Sequence, residues 1–204
     1  EGSGSTATNE GSTVINGTYG GSYSHQATNV AVYENTGSVD FNASNARVTM
    51  ASTGYGFGAR LPFTVVAAVR REDAAVGGHL IWNRSSTDGW LLRVQASTFY
   101  AYFARRTSSA NTTVVSTAAI RYAENDLVAG VYDGTNLYVW LNGTKYGPTS
   151  DTRSISASSD PLTIANNNAN TLSFEGNMSH AAIFDSALAD ARLTRYWDAF
   201  AAGL

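Results

Sequence analysis

Short runs of β-branched, aliphatic and aromatic residues return about every ten residues along this chain, with Gly, Asn, Asp or Ser between them. "FTVVAAVRR", "HLIWNR", "GWLLRVQ", "TFYAYFARR", "TTVVSTAA", "DLVAGVYD", "NLYVWLNG" and "PLTIAN" are each of strand length. No helical pattern separates them, so the chain reads as antiparallel sheets joined by tight reversals rather than as alternating β-α units. The stretch "VYDGTNLYVWLNGTKYG", Val131–Gly147, shows the principle in miniature. Asp133-Gly134 and Asn142-Gly143 supply residues that tolerate positive φ, and they bracket one strand between two turns.

Side chains alternate across a strand, so each run assigns its residues to two faces. Phe99, Ala101 and Phe103 fall on one face of their run, and Tyr100, Tyr102 and Ala104 on the other. Leu137, Val139 and Leu141 oppose Tyr138 and Trp140. Both faces are semi-apolar, whereas a two-layer sandwich needs one apolar face per sheet. The second aromatic face therefore packs under a covering element or lines a groove, and packing is the favoured reading for Tyr138 and Trp140. Only the C-terminus looks helical. Leu193, Trp197 and Phe200 recur at helical spacing, Asp190 stands in the first turn and Gly203 supplies a stop.

Composition narrows the partners. The 204 residues suffice for one sizeable domain. Residues 1–12, "EGSGSTATNEGS", read as a flexible tail or linker, and 13–204 as a single domain. Charged residues make up 14% of the chain, against about a quarter in a typical domain, so Ser, Thr, Asn and Gly supply the polar surface. The net charge of -3 and the absence of a basic run argue against nucleic acid. No cysteine is present, which removes disulfides, thiolate metal sites and Cys nucleophiles. No apolar run has the length of a membrane span. The chain opens on Glu1 rather than Met, which reads as a processed or excised segment.

Several blocks, in order, resemble the laminin-G-like and concanavalin A-like jelly rolls. They are "INGTYGGSY", "GSVDFNASNARVTM", "FTVVAAVRRED", the hairpin "LVAGVYDGTNLYVWLNGTKYG" with "PLTIANN", and the tail "FEGNMSHAAIFDSALADARLTRYWDAF". The resemblance covers roughly residues 13–202 and implies an all-β, two-sheet antiparallel jelly-roll sandwich with a short C-terminal helix. It also implies a bacterial exoprotein or phage structural setting. Members often hold a structural calcium, but the positions matching the acidic pair near that site are Ser179 and His180, and the early Asp-Gly is Asn42-Ala43. Asp40, Asn42, Asn45 and Glu175 still offer oxygens, yet with those carboxylates missing calcium is not the favoured reading.

Catalysis finds no support in the spacing. Glucanases of this architecture place alternate carboxylates on one strand so that both face the cleft. Here Glu72 and Asp73 are adjacent, and Glu124 and Asp126 sit in the turn "AENDL". His25, His79 and His180 form no zinc-binding spacing, and no Gly-x-Ser-x-Gly elbow occurs. The expectation is a non-catalytic recognition module, outside a cell or on a virion. Its partner would be a glycan or a cell-surface or virion protein, with self-association in a homo-oligomer as a further option. The alternative is a capsid-decoration or tail-fibre assembly module with no sugar ligand. Sugar binding combines aromatic stacking with polar contacts to hydroxyls. On that basis the candidates are Trp90, Tyr100, Tyr102, Arg105, Asn111 and Tyr55, the last in a glycine-rich loop with Phe57.

Overall fold

The computed structural model describes residues 5–8, 16–26, 37–43, 45–51, 55, 57–75, 77–108 and 110–203. Among these residues fifteen strands form two antiparallel sheets. In chain order they are β1 (Thr6–Ala7), β2 (Gly17–Gly20), β3 (Tyr23–Gln26), β4 (Ser38–Phe41), β5 (Arg47–Met50), β6 (Phe63–Arg71), β7 (His79–Arg84) and β8 (Gly89–Val94). There follow β9 (Tyr100–Arg106), β10 (Asn111–Ala119), β11 (Asn125–Tyr132), β12 (Asn136–Leu141), β13 (Thr144–Ser150), β14 (Leu162–Ile164) and β15 (Gly176–Phe184). One helix, α1 (Asp190–Ala202), ends the chain. The eight-stranded sheet runs β1-β2-β5-β14-β7-β8-β9-β10, and the seven-stranded sheet runs β13-β12-β11-β6-β15-β4-β3. This is the jelly-roll sandwich that the resemblance implied.

The main core lies between the sheets. Phe63, Val65, Ala67 and Val69 of β6 meet Trp90, Leu92 and Val94 of β8 and Ala101 and Phe103 of β9. Packing is close enough that Gly130 of β11 has no room for a side chain: a Cβ there would lie 2.4 Å from the Phe103 ring. A second apolar cluster explains why the central strands of the seven-stranded sheet are apolar on both faces. Val66, Ala68, Leu127, Ala129, Val131 and Trp140 turn away from the main core and are covered by Leu188, Leu193 and Phe200. Tyr138 packs there too, with Lys145 Nζ 4.1 Å above its ring. The second aromatic face of β12 is thus packing surface under the helix.

The turns that define this hairpin behave as their residues require. Asn142 and Gly143 have φ of 51° and 78°, and the Asn142 side chain also accepts the Leu127 N–H at 2.8 Å. The helix stands on the same turn, because a Cβ on Gly143 would lie 2.6 Å from Cδ1 of Trp197. Lys145 clamps Asp190 in the first helical turn at 2.8 Å, and Gly203, in the left-handed region, closes the last turn.

One boundary differs from the sequence reading. Thr6 and Ala7, inside the segment taken as a tail, pair with Thr18 and Gly17 as an edge strand, and Tyr19 N–H donates to Ser5 O at 2.8 Å. The open edge of β2 offers backbone partners that a small polar sequence can take as readily as an apolar one. The rest of 1–12 lies outside the described residues, apart from Thr8.

Candidate functional site

β7, β8, β9 and β10 are successive antiparallel neighbours in the eight-stranded sheet. Short turns hold their register. Ser85 Oγ accepts the Asp88 N–H at 3.0 Å, and the turn into β9 uses Ser97 and Phe99 at positive φ. The face turned away from the core consequently carries three cross-strand rows. Arg84, Gly89, Arg106 and Asn111 form one; Trp82, Leu91, Ala104 and Thr113 the next; Arg93, Tyr102 and Val115 the third. Leu91 and Ala104 are buried at the centre, while the aromatic and arginine side chains around them are partly exposed. No Asp or Glu occupies any of these outward positions.

The rings on this face are held from their edges and faces. His79 meets Trp82 edge-on, with centroids 4.5 Å apart. The guanidinium of Arg84 lies 5.3 Å from the Trp82 centroid, and that of Arg93 lies 4.2 Å from the Tyr102 centroid. His79 is buried and its Nδ1–H is within 3.1 Å of Leu172 O. Burial brings its pKa down to about 4, opposed by the Leu172 carbonyl and assisted by Arg93 and Arg84, so the ring is neutral at neutral pH. Burial also lowers the pKa of Arg84, and repulsion from Arg106 and Arg93 adds to it. None of Arg84, Arg93 and Arg106 has an ion-pair partner among the described residues. Arg84 Nε, Arg93 Nε and Trp82 Nε1 are buried donors with no acceptor.

The sequence candidates divide between this face and the interior. Tyr100 and Tyr102 lie on the outer face, and Asn111 is exposed beside Arg106. Three others are corrected. Trp90 is fully buried between Phe63 and Phe57, and its Nε1–H donates to Tyr55 O at 3.2 Å. Tyr55 is itself buried, and Phe57 stacks on Phe63 at 4.6 Å, so the aromatics of the glycine-rich loop turn inward. Arg105 is fully buried and bonds Asp151 Oδ2 at 2.8 Å and Ala59 O at 2.9 Å, with the Tyr132 ring 3.6 Å from its guanidinium carbon. It pins two loops to the sandwich. The residues that sequence reasoning missed are Trp82, Arg84, Arg93 and Arg106. Strict alternation applied jointly to "HLIWNR", "GWLLRVQ" and "TFYAYFARR" puts all four on one side, and the short turns make those runs neighbours.

Two clefts lie elsewhere. One of about 450 Å³ is polar and is lined by Asp88, Thr107, Ser108, Arg153, Ser154 and Ser156, with no aromatic ring. The other, about 240 Å³, gathers Asp40, Asn42, Glu72, Asp73 and Glu175. Burial raises the pKa of Glu175, and the neighbouring Asp73 raises it further. Burial likewise raises Asp40, against hydrogen bonds from Ser24 and Asn42. These are oxygen donors of the kind calcium uses. Among the described residues no three His, Asp or Glu side chains gather closely enough to hold a metal ion. Asp126 is a turn cap. It accepts the Arg121 N–H at 2.6 Å and pairs with Arg121 at 2.7 Å.

A family profile, the concanavalin A-like lectin/glucanases superfamily, matches residues 42–194. The chain belongs to this superfamily. Solved structures agree on the fold. Domain 4 of AbnA, a GH43 extracellular arabinanase from Geobacillus stearothermophilus solved with arabinotriose, superposes with a TM-score of 0.71 at 12% identity, covering 87% of this chain and 82% of that one. The binding domain of Paraclostridial Mosquitocidal Protein 1 gives 0.69 at 13% identity, with 96% and 51% covered. A structure of botulinum neurotoxin type C, whose cell entry depends on two ganglioside molecules, gives 0.62 at 10% identity, with 96% and 50% covered. This superfamily member thus spans about half the length of the toxin chains it matches. No curated protein matches its sequence. No helix among the described residues is long and apolar enough to cross a membrane.

Proposed function

We propose that this superfamily member is a non-catalytic carbohydrate-recognition module working outside the cell, with its ligand on the outer face of β7–β10. The observation that carries this reading is the pair of partly exposed rings, Trp82 and Tyr102, braced by His79, Arg84 and Arg93. A pyranose presents an apolar face to such rings, while arginine and asparagine donors reach its hydroxyls. On the other sheet, α1 covers the outer face of the central strands β6, β11 and β12. The lack of outward carboxylates on β7–β10 supports binding over hydrolysis, because glycoside cleavage needs a carboxyl pair flanking the bond. Among its structural neighbours is a domain solved with arabinotriose, which agrees with this reading.

The test is a glycan array followed by calorimetric titration of Trp82→Ala and Tyr102→Ala. Saturable binding that weakens in both variants, with their thermal unfolding intact, is expected. A chain that binds no glycan, or binds equally well without these rings, overturns the proposal.

A further inference from the structure

The outer face of β7–β10 carries a charge pattern that narrows the class of sugar it can take. Arg84, Arg93 and Arg106 come from three adjacent strands of a chain whose net charge is -3. The face opposes them with no carboxylate, and none of the three belongs to an ion pair among the described residues. Elsewhere Arg70, Arg105, Arg121, Lys145 and Arg153 each have an acidic partner within 4.0 Å, while Arg47, Arg60, Arg71, Arg192 and Arg195 are in no ion pair among the described residues; what sets this face apart is three such arginines on neighbouring strands. A buried donor without an acceptor costs about 1–3 kcal/mol, so such donors are rare in native proteins. Three lie on this face, Arg84 Nε, Arg93 Nε and Trp82 Nε1, while Arg71 Nε, Arg105 Nε and Trp140 Nε1 are scattered elsewhere. Between Arg84 and Arg106 stands Gly89, whose φ of 132° and crowded Cβ position exclude any side chain, so no side chain separates the two arginines in that row.

We infer, on the basis of the carbohydrate reading, that this platform binds a carboxylate-bearing glycan, with the acidic group received by the arginines and the sugar ring laid on Trp82 and Tyr102. An ionised carboxylate only accepts hydrogen bonds, which matches a surface of unpaired donors. Its planar pair of oxygens fits the guanidinium fork. The fixed aromatic rings set the distance between the charged group and the sugar face.

The experiment compares oligogalacturonate, a hyaluronan oligosaccharide and sialyllactose with the carboxyl-reduced form of each, by calorimetry on the full chain. The variants are Arg84→Gln, Arg93→Gln and Arg106→Gln, with thermal unfolding as the control for folding. At least one acidic glycan should bind, its reduced form should bind roughly tenfold or more weakly, and the arginine variants should lose a similar factor. Salt should weaken binding of the acidic form selectively. Equal binding of acidic and reduced forms, lost in Trp82→Ala but kept in the arginine variants, overturns the acidic ligand while leaving the carbohydrate module standing. Preference for sulfated glycans over carboxylated ones overturns it, as does equal affinity for single-stranded DNA. Binding to no glycan overturns both readings.

Discussion

Arg105→Met separates a structural from a ligand-binding role for a fully buried charge. Arg105 and Asp151 are both fully inaccessible, 2.8 Å apart. Removing the guanidinium strips Asp151 Oδ2 of its donor and leaves Ala59 O without the 2.9 Å bond it accepts. Asp151 Oδ1 keeps Arg153 Nε at 2.9 Å and the Arg153 N–H at 3.2 Å, so the stranded carboxylate is not bare. Breaking a buried pair costs about 3–5 kcal/mol, and these surviving contacts favour the lower half of that range. For a domain of this size each kcal/mol moves Tm by about 2–4 °C, so Tm should fall by roughly 6–16 °C. Differential scanning calorimetry with matched urea unfolding reads the loss. Arg105→Met/Asp151→Leu should recover more than half of it, because a well-packed apolar pair can replace a buried ion pair without penalty. A Tm drop below about 2 °C would refute the reasoning. It would refute it most plainly if glycan binding vanished at the same time, since Arg105 would then face solvent and ligand.

Three further perturbations test other joints of the structure. Gly143→Val forces a branched side chain into positive φ and into Trp197, so it should lower stability by about 1–3 kcal/mol and loosen α1, read by Tm and by Trp fluorescence. His79 has a folded pKa of about 4 against about 6.5 when unfolded, so the unfolded chain takes up the proton first as pH falls. Its burial therefore costs nothing above pH 6.5 and removes about 3 kcal/mol of stability by pH 4; His79→Gln should flatten that part of the stability–pH curve whatever it does to the plateau. Glu175 has its carboxyl pKa raised above 4.5, so its charged form weighs against the fold at neutral pH. Glu175→Gln should raise Tm at pH 7, and the gain should shrink as pH falls through the raised pKa and be gone below about 4.5, where the carboxyl is neutral in both folded and unfolded chains.

The sandwich was legible because strand length, alternation and turn residues all pointed one way. The hairpin at Asp133-Gly134 and Asn142-Gly143 fixes its register by local chemistry alone. The face under α1 was half legible: the double apolarity of β12 called for a cover, and the helical spacing of Leu193, Trp197 and Phe200 supplied one. The site was harder, for a physical reason. Alternation places Arg105 with Ala101 and Phe103 on the inward side, but a charge reads as exposed until its partner is known, and Asp151 is distant in sequence. Trp90 shares its face with Leu92 and Val94, yet the polar turn before it suggested exposure. Trp82 and Arg93 looked like ordinary strand residues until strand order set them beside Tyr102. A binding face is a property of several strands in register, which no single run declares.

The indole N–H signal of Trp82 gives the sharpest readout of where the ligand sits. The chain has four tryptophans, so a ¹H–¹⁵N spectrum resolves each indole as a separate reporter. Trp90 donates to Tyr55 O inside the sandwich, while Trp140 and Trp197 lie under and within α1. Titration with an acidic oligosaccharide should shift Trp82 alone and saturably, with Trp90, Trp140 and Trp197 unmoved. A saturable shift at Trp140 or Trp197 with Trp82 unchanged would place the ligand at the helix side and contradict the site.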